Sequence, residues 1–168
     1  MFCISGFDSY FKQINPAFEE ILGYKKAELL TQPYFNFIHP DDVASTLAEM
    51  SKLSRGVKTI AFENRYRTRD GLYKWMQWNA TSCERLIYAV ARDITERKQM
   101  QLDIQESEKR YRYIYENTPV MLHSIDSYGN LISVSNFWLQ KLGYQRHEVL
   151  GHKSIEFLTK ESQKYAHD

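Results

Sequence analysis

The chain switches between two hydrophobic periods. Phe2–Ser5 and Tyr10–Asn15 read as short strands around a turn at Gly6–Ser9. Asn15-Pro16 then starts a helix, with Asn15 as its cap and Pro16 at its first position. Its apolar residues Phe18, Ile21 and Leu22 recur at helical spacing until Gly23 stops them. A short helix around Lys26–Leu30 follows. Asp41 or Asp42 caps the next helix, where Val43, Leu47 and Met50 form one stripe and Gly56 marks the end.

From Thr59 the period becomes that of a strand. Thr59–Arg67 places Ile60, Phe62 and Tyr66 on one face, with Asn64 between the last two. Arg69-Asp70-Gly71 is a hairpin signal, Leu72–Ala80 is rich in aromatics, and Leu86–Arg92 is the last strand. On that strand Ile87, Ala89 and Ala91 share one face and Tyr88 and Val90 the other. Strands at both ends of this stretch, with small helices between, imply one antiparallel sheet with helices on one face, an α+β unit.

The strand runs directly into a charged rod, DITERKQMQLDIQESEKRYRYIYEN. Asp93 with Glu96 fits a capping box, and Thr95 is a competing cap. Arg97, Met100, Ile104, Ser107, Tyr111 and Ile114 step by three and four, a thin heptad seam. Glu106–Arg110 and Glu108–Arg112 have the spacing of helical ion pairs.

Beyond the rod the opening pattern returns. The Gly-Tyr pairs at Gly23 and Gly143 lie 120 residues apart, and at that offset Leu22 meets Leu142, Glu28 meets Glu148, Leu30 meets Leu150 and Phe37 meets Phe157. The Asp-Ser-Tyr triplets at Asp8 and Asp126 are 118 apart, which implies two extra residues in the second copy. That copy shows the first two strands and the small helices only. Its side chains Phe137, Trp138, Leu142 and Phe157 are therefore expected to stay partly unburied.

Composition adds exclusions. Lys plus Arg (22) nearly balances Asp plus Glu (21), so overall charge points to neither nucleic acid nor a membrane surface. Cys3 and Cys83 form no CxxC pair and no zinc spacing; reduced, structural thiols fit a cytoplasmic protein. No stretch has the roughly 18 apolar residues of a membrane span. The N-terminus lacks a signal peptide's basic and apolar regions, so the chain is expected to start inside a domain.

Several short motifs stand in a telling order: Ile14-Asn15-Pro16-Ala17-Phe18, Leu22-Gly23-Tyr24, Glu28-Leu29-Leu30, His39-Pro40-Asp41-Asp42, Arg69-Asp70-Gly71 with Trp75, and Asp93-Ile94-Thr95 before Glu96-Arg97-Lys98. In this order they resemble the PAS domain family. The resemblance implies a five-stranded antiparallel sheet in the order 2-1-5-4-3 with small helices on one face. It divides the chain into a PAS domain at 1–95, a signalling linker helix at 96–112 and the front half of a second PAS domain at 113–168. It also implies a sensory and dimerising module of a bacterial signalling protein, without catalytic residues of its own. Asp93, Ile94 and Thr95 would be the relay into the linker. A homodimer would form through the outer sheet face and a seam of Met100, Ile104, Tyr111 and Ile114, with an output domain or kinase downstream. A fragment of a sensor histidine kinase and a stand-alone ligand-binding domain are the alternatives.

The expected pocket lies under the helices, lined by Ile14, Phe18, Leu22, Phe62, Tyr66, Ile87, Ala89 and Ala91. Ala91 stands where flavin-binding relatives carry a polar residue, so no hydrogen bond to a flavin is expected there. The cofactor is left open, with a filled core, a small apolar ligand, and haem or flavin in descending order. His39 belongs to a loop with no metal role in the family. His147 and His152 are five residues apart, roughly 140° around a helix of about 3.6 residues per turn, so they cannot share a zinc.

Overall fold

A computed structural model describes residues 1–165, which divide into two compact units, Met1–Gln101 and Leu102 onward. Residues 166–168, the end of the expected second domain, lie outside the described residues.

The first unit is built on five strands: β1 (Phe2–Gly6), β2 (Phe11–Ile14), β3 (Thr59–Arg67), β4 (Tyr73–Cys83) and β5 (Leu86–Asp93). They form one antiparallel sheet in the order β2-β1-β5-β4-β3. Helices α1 (Ala17–Leu22), α2 (Lys26–Thr31) and α3 (Val43–Ser54), with 3-10 turns at Tyr34–Phe37 and Pro40–Asp42, connect β2 to β3. Strand alternation decides which side chains meet them. On β5, Ile87, Ala89 and Ala91 are buried while Tyr88 and Val90 face out. Phe18, Leu22, Leu29 and Met76 are fully enclosed in the core.

Four details of this unit differ from the sequence pattern. A bulge between Thr59 and Phe62 puts two residues opposite one on β4, so Thr59 and Phe62 turn inward and Ile60 is 78% exposed. Ala61, the extra residue, has φ 51° and donates its N–H to Asn79 Oδ1 at 2.9 Å. On α3 the buried stripe is Thr46 and Leu53 with Val43 and Met50 beside them, and Leu47 is exposed. Asn15 caps no helix: its Oδ1 accepts from Phe2 N at 3.0 Å and pins the start of β1, leaving Pro16 at the N-cap of α1. The β4–β5 hairpin closes on two residues, Glu84 and Arg85, at φ 48° and 64°.

The second unit contains β6 (His123–Ile125), β7 (Leu131–Val134), α5 (Asn136–Leu142), α6 (Arg146–Val149), a 3-10 turn at Ser154–Phe157, and α7 (Lys160–Tyr165). Its hairpin matches that of the first unit at one offset. Cys3↔Ile14 and Ile4↔Gln13 become His123↔Val134 and Ser124↔Ser133. The Gly6–Tyr10 turn becomes Asp126–Asn130, and Tyr34 N→Ser9 O becomes Ser154 N→Gly129 O. Each pair is separated by 120, so no residues are inserted and the two Asp-Ser-Tyr triplets are not equivalent. Gly23 and Gly143, both at φ 78°, end α1 and α5 in the left-handed conformation that glycine adopts without strain. Trp138 is buried, contrary to its expected exposure; Phe157 packs edge-on against it and Tyr144 lies tilted beside it.

The helix joining the strand systems is α4 (Thr95–Asn117), which continues past the expected end at 112. Among the described residues no ion pair joins Glu106 to Arg110 or Glu108 to Arg112.

The Glu84–Arg85 turn generates a stability prediction. A two-residue hairpin with positive φ at both positions favours Asn-Gly. The double substitution Glu84→Asn/Arg85→Gly should stabilise the first unit by about 1–2 kcal/mol, raising its melting temperature by about 4–8 °C per kcal/mol. Calorimetry showing no gain would mean the turn is not strained.

Candidate functional site

Between α3 and the inner sheet face lies a cavity of about 70 Å³. Phe62, Tyr66, Ile87 and Ala89 line it, together with Thr46, Met50 and Leu53 of α3. The other expected lining residues, Ile14, Phe18, Leu22 and Ala91, are buried in the surrounding core but do not form its wall. A water occupies roughly 30 Å³ in the liquid, and pockets for drug-sized ligands run from about 300 Å³ upward. The space therefore suits one or two waters or a molecule of a few heavy atoms. Haem and flavin do not fit it.

The wall is mainly apolar, with a few polar groups set in and around it. Asn64, 1% exposed, accepts from Trp78 Nε1 at 2.8 Å and donates to Thr46 Oγ1 at 3.1 Å. Thr46 in turn donates to Asp42 O at 2.7 Å. Thr59 Oγ1 donates to Glu49 Oε2 at 3.1 Å, and Ser82 Oγ donates to Leu53 O at 2.6 Å. The Asn64–Thr46, Thr59–Glu49 and Ser82–Leu53 bonds tie α3 to the sheet. Tyr66 is buried, with no hydrogen-bond partner for its hydroxyl among the described residues. Burial pushes the Tyr66 phenol well above its ordinary range, and the Cys3 thiol and Tyr34 phenol each up to about 12. All three are therefore neutral at physiological pH.

A second constellation sits where β5 enters α4. Asp93 Oδ1 accepts from Thr95 N at 2.9 Å and Thr95 Oγ1 at 2.6 Å, and Lys74 Nζ lies 3.1 Å from Oδ2. Thr95 Oγ1 accepts from Trp75 N at 3.0 Å. Ile94 is buried and donates its N–H to Trp75 O at 2.9 Å. Thus Asp93 and Thr95 cap the helix together while fastening it to β4. One strand further out, Glu63 of β3 receives Arg97 Nη2 at 2.9 Å, Gln77 Nε2 at 3.2 Å and the Lys98 ammonium. The Trp75 ring carries Lys98 at 5.1 Å and Arg65 at 5.2 Å. Arg65 closes a fork on Asp42, Nε to Oδ2 at 2.9 Å and Nη2 to Oδ1 at 2.7 Å.

Met100, Ile104, Tyr111 and Ile114 are each more than half exposed. Tyr111 stacks on Tyr115 at 5.8 Å. Sequence reasoning missed Glu63, Thr46 and Trp78; Asp42, expected as a cap of α3, stands at its N-cap but spends its carboxylate on Arg65 and makes no side-chain cap bond. Asn64 carried a signal, since it shares the inward parity of Phe62 and Tyr66 and so had to be a buried amide. Cys3 is buried and Cys83 exposed, both free, and no metal-binding cluster occurs among the described residues. No helix there is long and apolar enough to cross a membrane.

Comparison with known proteins follows the two-unit division. The profile described as PAS fold matches residues 11–85, and that described as PAS domain matches residues 109–164. An uncharacterized protein of Sinorhizobium fredii, y4lL, is 27% identical over 145 residues, covering 83% of this chain. The chain spans 17% of that curated relative's length. Among solved structures, the PAS-B domain of Drosophila melanogaster Cycle with bound ethylene glycol superposes with TM-score 0.52 at 16% identity, covering 55% of this chain and 97% of that one. A sensory box histidine kinase/response regulator from Burkholderia thailandensis gives 0.50 at 24% identity, covering 67% and 89%. The PAS domain of an HTR-like protein from Haloarcula marismortui gives 0.50 at 24%, covering 56% and 85%. At these identities the superpositions establish the fold.

The carboxylates define an acid limit. The Arg65 fork holds the Asp42 carboxyl below its usual range, and the Lys98 ammonium does the same for Glu63. Burial acts to raise Asp93, but the Thr95 hydroxyl and amide and Lys74 outweigh it and lower it. In the unfolded chain these groups regain ordinary values near about 4. Their contribution is then complete above that pH and is lost as pH falls through the lower folded values, where the unfolded state binds more protons. The first unit should melt at progressively lower temperature below about pH 4, and Asp42→Asn should make that decline shallower. An equal slope in the variant would remove Asp42 from the account.

Proposed function

The chain is a tandem of PAS units, and from that premise we propose that it is the sensory segment of a larger signalling protein, passing the state of the first cavity along α4 to a downstream output. The observation that carries this reading is the junction at Asp93–Thr95. The strand bordering the cavity and the helix leaving the unit share one set of hydrogen bonds, so neither moves without the other. The small share of the Sinorhizobium relative that the chain covers supports a longer parent protein. A histidine kinase is the output proposed, by analogy with the Burkholderia protein of similar fold.

A mainly apolar wall that also carries the Tyr66 hydroxyl favours a small uncharged ligand with an apolar body and a hydroxyl group, where the sequence put a filled core first and a small apolar ligand second. Tyr66 offers an unused donor, and the Glu49 carboxylate at the wall is already engaged by Thr59 and Lys52. Ethylene glycol, found with the Cycle domain, is a suitable probe. Titrated into the wild type, it should shift NMR resonances of Tyr66 and Asn64 saturably. Tyr66→Phe should abolish saturation; an unchanged titration would mean that the probe does not enter here.

The seam completes the proposal. Met100, Ile104, Tyr111 and Ile114, which with Ser107 between them step by three and four along α4, are all exposed and suit a parallel homodimer. Ile104→Asp would put a carboxylate where a partner helix desolvates it. Sedimentation should show self-association weakened roughly tenfold, or about 1.4 kcal/mol, with the melting of the first unit unchanged. A wild type that stays monomeric at tens of micromolar would reduce α4 to a connector.

A further inference from the structure

Three consecutive residues of β3 each bind a different element. Glu63 faces outward and holds Arg97 and Lys98 of α4. Asn64 faces inward and joins Thr46 of α3 to Trp78 of β4 beside the cavity. Arg65 faces outward again and forks onto Asp42, the residue preceding α3, while its backbone N–H donates to the same carboxylate at 2.8 Å. Alternation makes this possible, since the strand presents successive side chains to opposite faces. Trp75, opposite Arg65 on β4, then receives two cations, Arg65 from the α3 side and Lys98 from the α4 side.

We infer that Asp42, Arg65, Trp75, Lys98 and Glu63 form a relay linking the position of α3, the helix that roofs the cavity, to the root of α4. Its two halves are linked through one aromatic ring. A shift of α3 moves the Asp42 carboxylate, and the Arg65 fork follows because its two parallel bonds fix orientation as well as distance. Arg65 leaving the ring alters the face against which Lys98 rests. Lys98 is also a partner of Glu63, so the change reaches the pairs holding the first turn of α4. The route is distinct from the Asp93–Thr95 junction, which anchors the same turn from β5. It rests on the reading of the cavity as the sensing site, but its physical coupling can be measured without a ligand.

The test uses the full chain and hydrogen exchange at the amides of Lys98 to Gln101, with Ala89 and Ala91 on β5 as a control for global unfolding. Asp42 forms none of the bonds that hold α4, yet Asp42→Asn should accelerate exchange at 98–101 by roughly five- to tenfold, the effect of losing about 1–1.4 kcal/mol of local stability. Glu63→Gln should act similarly. In a Trp75→Leu background, Asp42→Asn should add nothing further, the non-additivity expected of residues in one network. If Asp42→Asn unfolds the unit, Arg65→Lys replaces it, keeping the charge and losing the fork. Unchanged exchange at 98–101, or equal effects with and without Trp75, would overturn the relay. Failure of ethylene glycol to bind would instead count against the ligand reading and leave this coupling standing.

Discussion

The arrangement of the first unit turns on a buried amide. Asn64 sits in the core, where an unpaired polar group costs about 1–3 kcal/mol. Its carbonyl oxygen needs a donor and its nitrogen an acceptor, and Trp78 and Thr46 supply them from opposite sides. This fixes the separation of α3 from the sheet more tightly than apolar packing alone would. It also explains why Thr46 occupies a core position on α3 while Leu47, the better hydrophobe, lies outside. A helix rotated to bury Leu47 would leave Asn64 unsatisfied. The space between the roof so held and the small side chains Ala80 and Ala89 remains open as the cavity.

How much of this was legible in the sequence depends on the range of the interaction. The alternation on β5, the glycine ends of α1 and α5, and the five-strand order were readable because they follow from local period and from a recognisable order of motifs. The bulge at Ile60–Ala61 was not, because no glycine marks it and its extra residue is held by Asn79 across the sheet. The tight turn at Glu84–Arg85 was hidden similarly: side chains disfavoured at positive φ are kept there by the pairing of Cys83 with Leu86. Asn15 looked like a helix cap, since residues of its type compete for any nearby backbone N–H. The one it takes belongs to Phe2, which only tertiary structure brings near. Glu63 resembled an ordinary surface charge and Asp42 a helix cap, and only pairing across strands and helices shows them acting together.

The repeat supplies an internal control. Spacing of the Asp-Ser-Tyr triplets suggested an insertion, yet the hydrogen bonds of the two hairpins coincide at a constant offset. Register is set by the turn and by inward-facing residues, and the triplets satisfy neither: Asp8 lies within its turn, whereas Asp126 opens the equivalent one. Ser9 even accepts φ 70° where the second copy places Gly129. In the second unit the cluster of Leu131, Val134, Trp138 and Val149 is small, and the rings of Tyr144 and Phe157 close over Trp138. That local closure is why Trp138 is buried although only two strands support it, while Leu142 is left 40% exposed.

The root of α4 raises a different question, because several bonds tie its first turn to the sheet. The apolar residues of α4 are sparse and exposed, and the expected ion pairs are open. Helix formation is limited by nucleation, since the first turn fixes several residues for one hydrogen bond. At the root that cost is met by tertiary structure: Asp93 and Thr95 fix the cap, Ile94 is buried, and Glu63 with Trp75 orients Arg97 and Lys98. Once nucleated, the polar segment can propagate at little further cost per residue. A helix stabilised chiefly at one end is sensitive to that end. In the proposed relay, weakening two ion pairs and one ring contact there would change the nucleus on which the following turns depend, and so carry a small displacement beside the cavity into the rod.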